Sequence, residues 1–173
     1  YGTYKTVIEM ENELDEIADV LKTDVKGLGK KVQKLLQEFK DVQKELERAN
    51  SKLATFEAGS LFDNAIEING IKVILKAFEN KEADSLREIV DKAKDKLKSC
   101  VVVLGTNNDK AVFAVGVTKD LTDKVKAGDL VKELAKVTGG NGGGRPDFAQ
   151  AGGKEGKLVP EALDLAKKIL EEK

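Results

Sequence analysis

The sequence predicts an α+β protein: N-terminal amphipathic helices, arranged as a helical hairpin or a coiled-coil-like element, then a small globular unit with a mixed or antiparallel sheet. Three observations carry this. A heptad of apolar residues runs through Leu28, Val32, Leu35, Phe39, Val42, Leu46, Ala49, Leu53 and Phe56. Asn69-Gly70 separates two apolar runs, a strong hairpin signal because both central turn residues tolerate positive φ. The continuously apolar, β-branched runs at 100–105 and 111–117 have the composition of strands covered on both faces.

In chain order, Val7, Met10, Leu14, Ile17 and Leu21 alternate steps of three and four, which predicts a helix from about Thr6 to Lys22 with one apolar stripe. The pattern slips around 23–29, where Thr23 or Asp24 can cap a new start and Gly27 and Gly29 weaken the local helix. The heptad helix follows. Its stripe is too narrow to bury itself, so it docks on the first helix, on the globular part or on a second copy. Gly59-Ser60 reads as its stop and as a domain boundary, giving a helical association or spacer segment at 1–60 and a globular domain at 61–173.

Ala65 to Ile68 and Ile71 to Phe78 then read as two antiparallel strands. Asp84 is a candidate N-cap for a helix with Leu86, Ile89, Val90, Ala93 and Leu97 inward. Asn107-Asn108-Asp109 turns between the two apolar strands, which are expected at the sheet centre. A helix from about Lys126 to Val137 follows a loop containing Asp120 and Asp123. Pro160 suits the first turn of a last helix with Ala162, Leu163, Leu165, Ala166, Ile169 and Leu170 inward.

Composition narrows the chemistry. With no histidine and one cysteine, Cys100, the chain has no Ser/His or Cys/His nucleophilic pair, no imidazole acid–base group and no intramolecular disulfide. Cys100 opens an apolar run and reads as a small core residue in a reducing, cytoplasmic setting. Asp120 and Asp123 read as a solvated pair rather than a metal site. No apolar run reaches the length of a membrane span, so no membrane partner is expected. A net charge of -1 confines any RNA contact to a local patch. Beginning at Tyr1 without an initiator methionine, the sequence reads as an excised fragment.

The remaining stretch is the densest in glycine: Gly139-Gly140-Asn141-Gly142-Gly143-Gly144-Arg145-Pro146-Asp147-Phe148-Ala149-Gln150-Ala151-Gly152-Gly153-Lys154. So many glycines argue against a strand or helix interior and for a backbone that lets a partner approach closely. Pro146, Phe148 and the alanines mark a loop that packs, and Phe148 is expected to anchor it in the core. The run from Gly142 to Gly153 resembles the signature of the C-terminal domain of alanyl-tRNA synthetases, a branch of the domain family also attached to DHH-type phosphoesterases. The stretch from Glu9 to Leu36 resembles the same enzymes just after their editing domain.

The resemblance implies a DHHA1-like, tRNA-binding region that positions tRNA for aminoacylation and editing by domains absent from this chain, with alanine tRNA as partner and a homodimer formed through the N-terminal helices. It implies no cofactor here, since the parent enzymes use ATP, Mg and Zn in other domains, and no catalytic site. Structured RNA is recognised by shape and backbone. Gly143 and Gly144 are therefore expected to give close approach and Arg145 a bidentate contact, with Asp147 as its competing internal partner. Gln150 is assigned a hydroxyl or base edge, and Lys154 and Lys157 act as point charges. The alternatives are a dimeric helical scaffold without an RNA role, and the nucleotide- or single-strand-binding domain of a phosphoesterase. For the latter, Arg145 stands where those relatives usually have histidine.

Overall fold

The computed structural model describes residues 2–173, which fall into two compact units, one ending at Ala49 and the other running from Asn50 to Lys173.

In the first unit, α1 (Gly2–Val20) closes with the N–H of Thr23 on the carbonyl of Ala18 and that of Lys22 on Asp19, while Lys22 takes a left-handed φ of 52°. This is a Schellman end with lysine where glycine is usual. Asp24, and not Thr23, caps the short 3-10 turn that follows: its Oδ1 accepts from the N–H of Gly27 at 2.9 Å. A Cβ on Gly27 would lie 2.6 Å from that oxygen, so the cap itself requires glycine. Helix α2 (Leu28–Phe62) then begins. Both predicted stripes form, and both stay open to solvent: Val7, Met10, Leu14 and Ile17 on α1, and Val32, Leu35, Phe39, Val42 and Leu46 on α2, are exposed.

The second unit contains the last turns of α2. Gly59-Ser60 does not stop this helix, which continues to Phe62. Glycine weakens a helix by only about 1 kcal/mol, and here burial of the flanking Ala58 and Leu61 against the sheet outweighs that. The buried face is Ala54, Ala58 and Leu61, so the heptad residues Leu53 and Phe56 remain exposed on another side.

Six strands follow in the order β1-β2-β3-β4-β6-β5, a mixed sheet. β1 (Ile66–Ile68) and β2 (Ile71–Glu79) form the expected antiparallel hairpin, with Asn69 and Gly70 at φ 52° and 79°. The Asn69 amide reaches the last carbonyls of the C-terminal helix, donating to Glu171 O at 3.1 Å. β2 pairs in parallel with β3 (Val101–Asn107), a connection that needs a crossover, supplied by α3 (Ala83–Leu97). The residue at the N-cap of α3 is Glu82, without a side-chain bond, and Asp84 lies inside the first turn. There its carboxylate still favours the positive end of the helix dipole.

β3 and β4 (Ala111–Val117) are the two middle strands of the order, antiparallel to each other. α4 (Ala127–Val137), β5 (Asn141–Gly144), β6 (Phe148–Gly153) and α5 (Val159–Glu171) complete the unit, with Pro160 in the first turn of α5 as expected. Period-2 alternation sorts the core into two layers. Val101, Val103, Phe113, Val115, Ala149 and Ala151 pack with α4 and α5 on one face. Ile74, Val102, Leu104 and Ala114 pack with α3 and the end of α2 on the other.

The glycine run is therefore no loop. Its first part is β5, antiparallel to β6, in spite of the expectation that glycine density excludes a strand. The reason is clearance. A Cβ on Gly142 would lie 2.3 Å from the Cβ of Ala151, and one on Gly144 would lie 2.6 Å from the Cα of Ala149. Only bare backbone fits so close to β6.

Candidate nucleic-acid interface

The register of the β5–β6 hairpin sets the surface. Ala149 and Ala151 face the α4 layer, so Phe148, Gln150 and Gly152 lie on the opposite face of β6. Gly143 pairs with Gln150 and Asn141 with Gly152, which brings all of these residues to one face. No heavy atom lies within 4 Å of where a Cβ of Gly143 would be, and at Gly152 the only neighbour is Ala111 O at 3.9 Å. This part of the sheet is an open floor almost without side chains, bordered by α3. Gln150 Nε2 donates to Ala83 O at 3.5 Å, and the Arg87 guanidinium lies 5.2 Å from the centroid of the Phe148 ring.

At one end of the floor the chain turns through Arg145, Pro146 and Asp147, and this turn is fixed from several sides. Arg145 N donates to Phe148 O at 2.9 Å, Ala127 N to Pro146 O at 2.9 Å and Val117 N to Asp147 O at 2.9 Å. The Lys94 ammonium adds a bond to Asp147 O at 3.1 Å. Arg145 Nε lies 3.3 Å from Asp147 Oδ1, the internal partner considered from the sequence, yet its side chain is 73% exposed against 28% for Asp147. One edge of the fork is engaged, and the rest of this five-donor group faces solvent.

The predicted residues do not form one cluster. Gly143 and Gln150 share the floor and Arg145 stands in the turn at its end, whereas Gly144 pairs with Ala149 and so belongs to the α4 face of the hairpin. Lys154 and Lys157 lie beyond the far end of β6, lining a polar recess of about 460 Å³ with Asn107, Asn108, Asp109 and Glu155. The six residues of β6 lie between the Arg145 turn and Lys154, about 20 Å at the rise of a strand. Two carboxylates share the recess, which weakens its pull on an anion.

Phe148 packs partly buried against the α3 layer, as expected of an anchor. Arg87 was not singled out in the sequence. Standing among Asp84, Glu88 and Asp91, it reads there as one more charge on a solvated helix face, and only the fold carries it onto Phe148.

The other groups weighed from the sequence are structural. Cys100 is buried, and burial pushes its thiol up to about 11. Asp120 accepts from Ser99 Oγ at 2.5 Å, and that bond, with one from Thr118, holds its carboxyl below the ordinary range. Among the described residues no group of three or more His, Cys, Asp or Glu side chains is placed to hold a metal ion, and no helix is long and apolar enough to cross a membrane.

A DHHA1 domain model matches residues 70–172, more than half of the chain. The chain belongs to the DHHA1 domain family. Within it, the alanine–tRNA ligase of Fusobacterium nucleatum is 49% identical over 174 residues, covering 100% of the chain and 20% of that protein. The enzyme of Alkaliphilus oremlandii is 46% identical over 169 residues, 96% of the chain and 19% of that protein. The chain thus spans about a fifth of the curated relatives it matches. Among solved structures, the C-Ala domain from Aquifex aeolicus alanyl-tRNA synthetase superposes with a TM-score of 0.59 at 37% identity, covering 62% of the chain and 97% of that domain. This DHHA1 member therefore falls on the alanyl-tRNA synthetase branch, as the glycine-run signature implied.

Proposed function

We propose that the chain is the tRNA-binding C-terminal region of an alanine–tRNA ligase. It holds tRNA, alanine tRNA by family, for aminoacylation and editing performed elsewhere in a cytoplasmic enzyme, with no catalytic site or cofactor of its own. The observation that carries this reading is the open floor of β5 and β6 beside a turn that presents a largely exposed arginine on a backbone held by four bonds. Structured RNA offers phosphates and 2′-hydroxyls at its corners, and a surface poor in side chains meets them without first ordering flexible groups. A near-neutral chain can still do this through a local cation. Gly143 would admit the backbone and Arg145 would grip it, while Gly144 would serve only to let β5 lie close against β6. Gln150, half turned to Ala83, would add one polar contact, and Lys154 and Lys157 would act at a separate point.

Titration with tRNA and with an RNA hairpin at two salt concentrations tests the reading. Preference for tRNA, weakened by salt and by Arg145→Ala, supports it. Equal and weak binding of both RNAs would sink it.

A scaffold role is favoured by a different observation, the exposed apolar stripes of α1 and α2, which also support the proposed homodimer. Apolar residues at this spacing gain from a partner helix. Sedimentation of the chain and of Phe39→Glu decides this part: a dimer that dissociates on substitution supports it, and a monomer refutes it.

A further inference from the structure

We infer that Arg87 is a second arginine of the RNA-contacting surface, acting with Arg145 across Phe148 on the phosphate backbone of folded RNA. The inference rests on the tRNA-binding reading above. Phe148 links the two: its carbonyl accepts from Arg145 N at 2.9 Å, and its ring carries the Arg87 guanidinium at 5.2 Å. On α3, Arg87 stands one turn after Ala83, whose carbonyl takes the Gln150 amide, so it borders the floor beside Phe148, one turn of α3 from the row of Gln150 and Gly143.

Its charge is uncommitted. Asp84 and Asp91 stand three and four residues away on the same helix, the spacings at which an ion pair forms. Yet among the described residues Arg87 makes no salt bridge, while Arg145 engages only one carboxylate oxygen. A guanidinium lying on an aromatic ring keeps its N–H edge free and loses less freedom on taking an oxyanion than an unsupported side chain does. Phosphate is the ligand class that such a fork fits. A base stacked on the same guanidinium is the other chemistry available, and it would not depend on salt in the same way.

The same helix supplies a control. Lys96 lies 4.3 Å from the centroid of Phe62, the same kind of cation–ring contact, made with α2 and not with the β5–β6 hairpin. Binding of tRNA by the full chain is measured across a salt series for wild type, Arg87→Ala, Arg87→Lys, Arg145→Ala and Lys96→Ala. Arg87→Ala is expected to bind about three- to tenfold more weakly, with the slope of log K against log[salt] reduced by about one. Arg87→Lys should keep the slope and recover part of the affinity, and Lys96→Ala should match wild type. Arg87→Ala binding like wild type while Arg145→Ala is weakened would overturn the inference and leave the tRNA reading standing. Weaker binding at an unchanged slope would also overturn it, since Arg87 would then only steady Phe148 or stack on a base. Absence of tRNA binding by wild type would end both.

Discussion

Gly142 and Gly143 are neighbours on one strand, and the structure assigns them opposite responses to the same added methyl group. At Gly142 the new carbon would stand 2.3 Å from Ala151 Cβ, 2.6 Å from Ala151 Cα and 2.8 Å from Gln150 O. None of these is the end of a flexible side chain, so β5 must lift from β6. Overpacking of this kind costs about 1–3 kcal/mol. For a unit of this size each kcal/mol shifts the midpoint by about 4 °C, so Gly142→Ala should melt about 4–12 °C lower. At Gly143 the methyl meets nothing within 4 Å. The folded state loses nothing there and the unfolded chain loses freedom, so Gly143→Ala should be neutral or more stable by up to about 1 kcal/mol. On the tRNA reading, that same methyl stands in the path of the ligand and should weaken tRNA binding about tenfold, which is about 1.4 kcal/mol. Thermal unfolding by circular dichroism and tRNA titration give the two readouts. A Gly142→Ala protein as stable as wild type would refute the strand register, and a Gly143→Ala protein that melts well below it would refute the open floor.

Three further outcomes follow from the packing. The Cys100 thiol is raised from 9.0 to about 11 by burial, so below pH 9 it is protonated whether folded or not and its contribution is intact. As pH climbs from 9 to 11 the unfolded thiol ionises first, and stability should fall by up to about 2–3 kcal/mol. Denaturant melts of wild type and Cys100→Ala across that range should diverge, and a thiol reagent at pH 8 should label Cys100 only on unfolding. Glu57→Ala would leave the Lys81 ammonium, 15% exposed and bonded to both Glu57 oxygens, without its anion. A loss of about 1–2 kcal/mol in urea melts is expected, below the value for fully buried pairs because solvent reaches it. Lys98 ends α3 at a left-handed φ of 59°, so Lys98→Gly should gain about 0.5–1 kcal/mol in the same assay.

Local chemistry made much of the fold legible. Asn69-Gly70 has few alternatives to a tight hairpin, and the apolar runs of β3 and β4 announced strands covered on both sides. What escaped reading depends on contacts distant in sequence. Glycine is a poor strand former by propensity, but β5 carries it at 142 and 144 because β6 lies too close there for a Cβ, a fact held in residues 148–153. Gly59 passes unnoticed through α2 because Leu61 has a core to enter. For the candidate surface, Arg145 and Lys154 look adjacent in the sequence, and an extended strand sets them about 20 Å apart. Arg87 carries no local signal at all, since its neighbour on the surface lies on β6, beyond β3, β4 and α4 in the chain.

The strand order has a consequence for when this surface comes into being. β5 is reached before β6 along the chain, but it touches the sheet only through β6, which itself must first lie against β4. A nascent chain that has emerged only through residue 145 would own the glycines of β5 and Arg145 without any platform beneath them. On the tRNA-binding reading, the receiving surface is thus incomplete until residue 153 has been made.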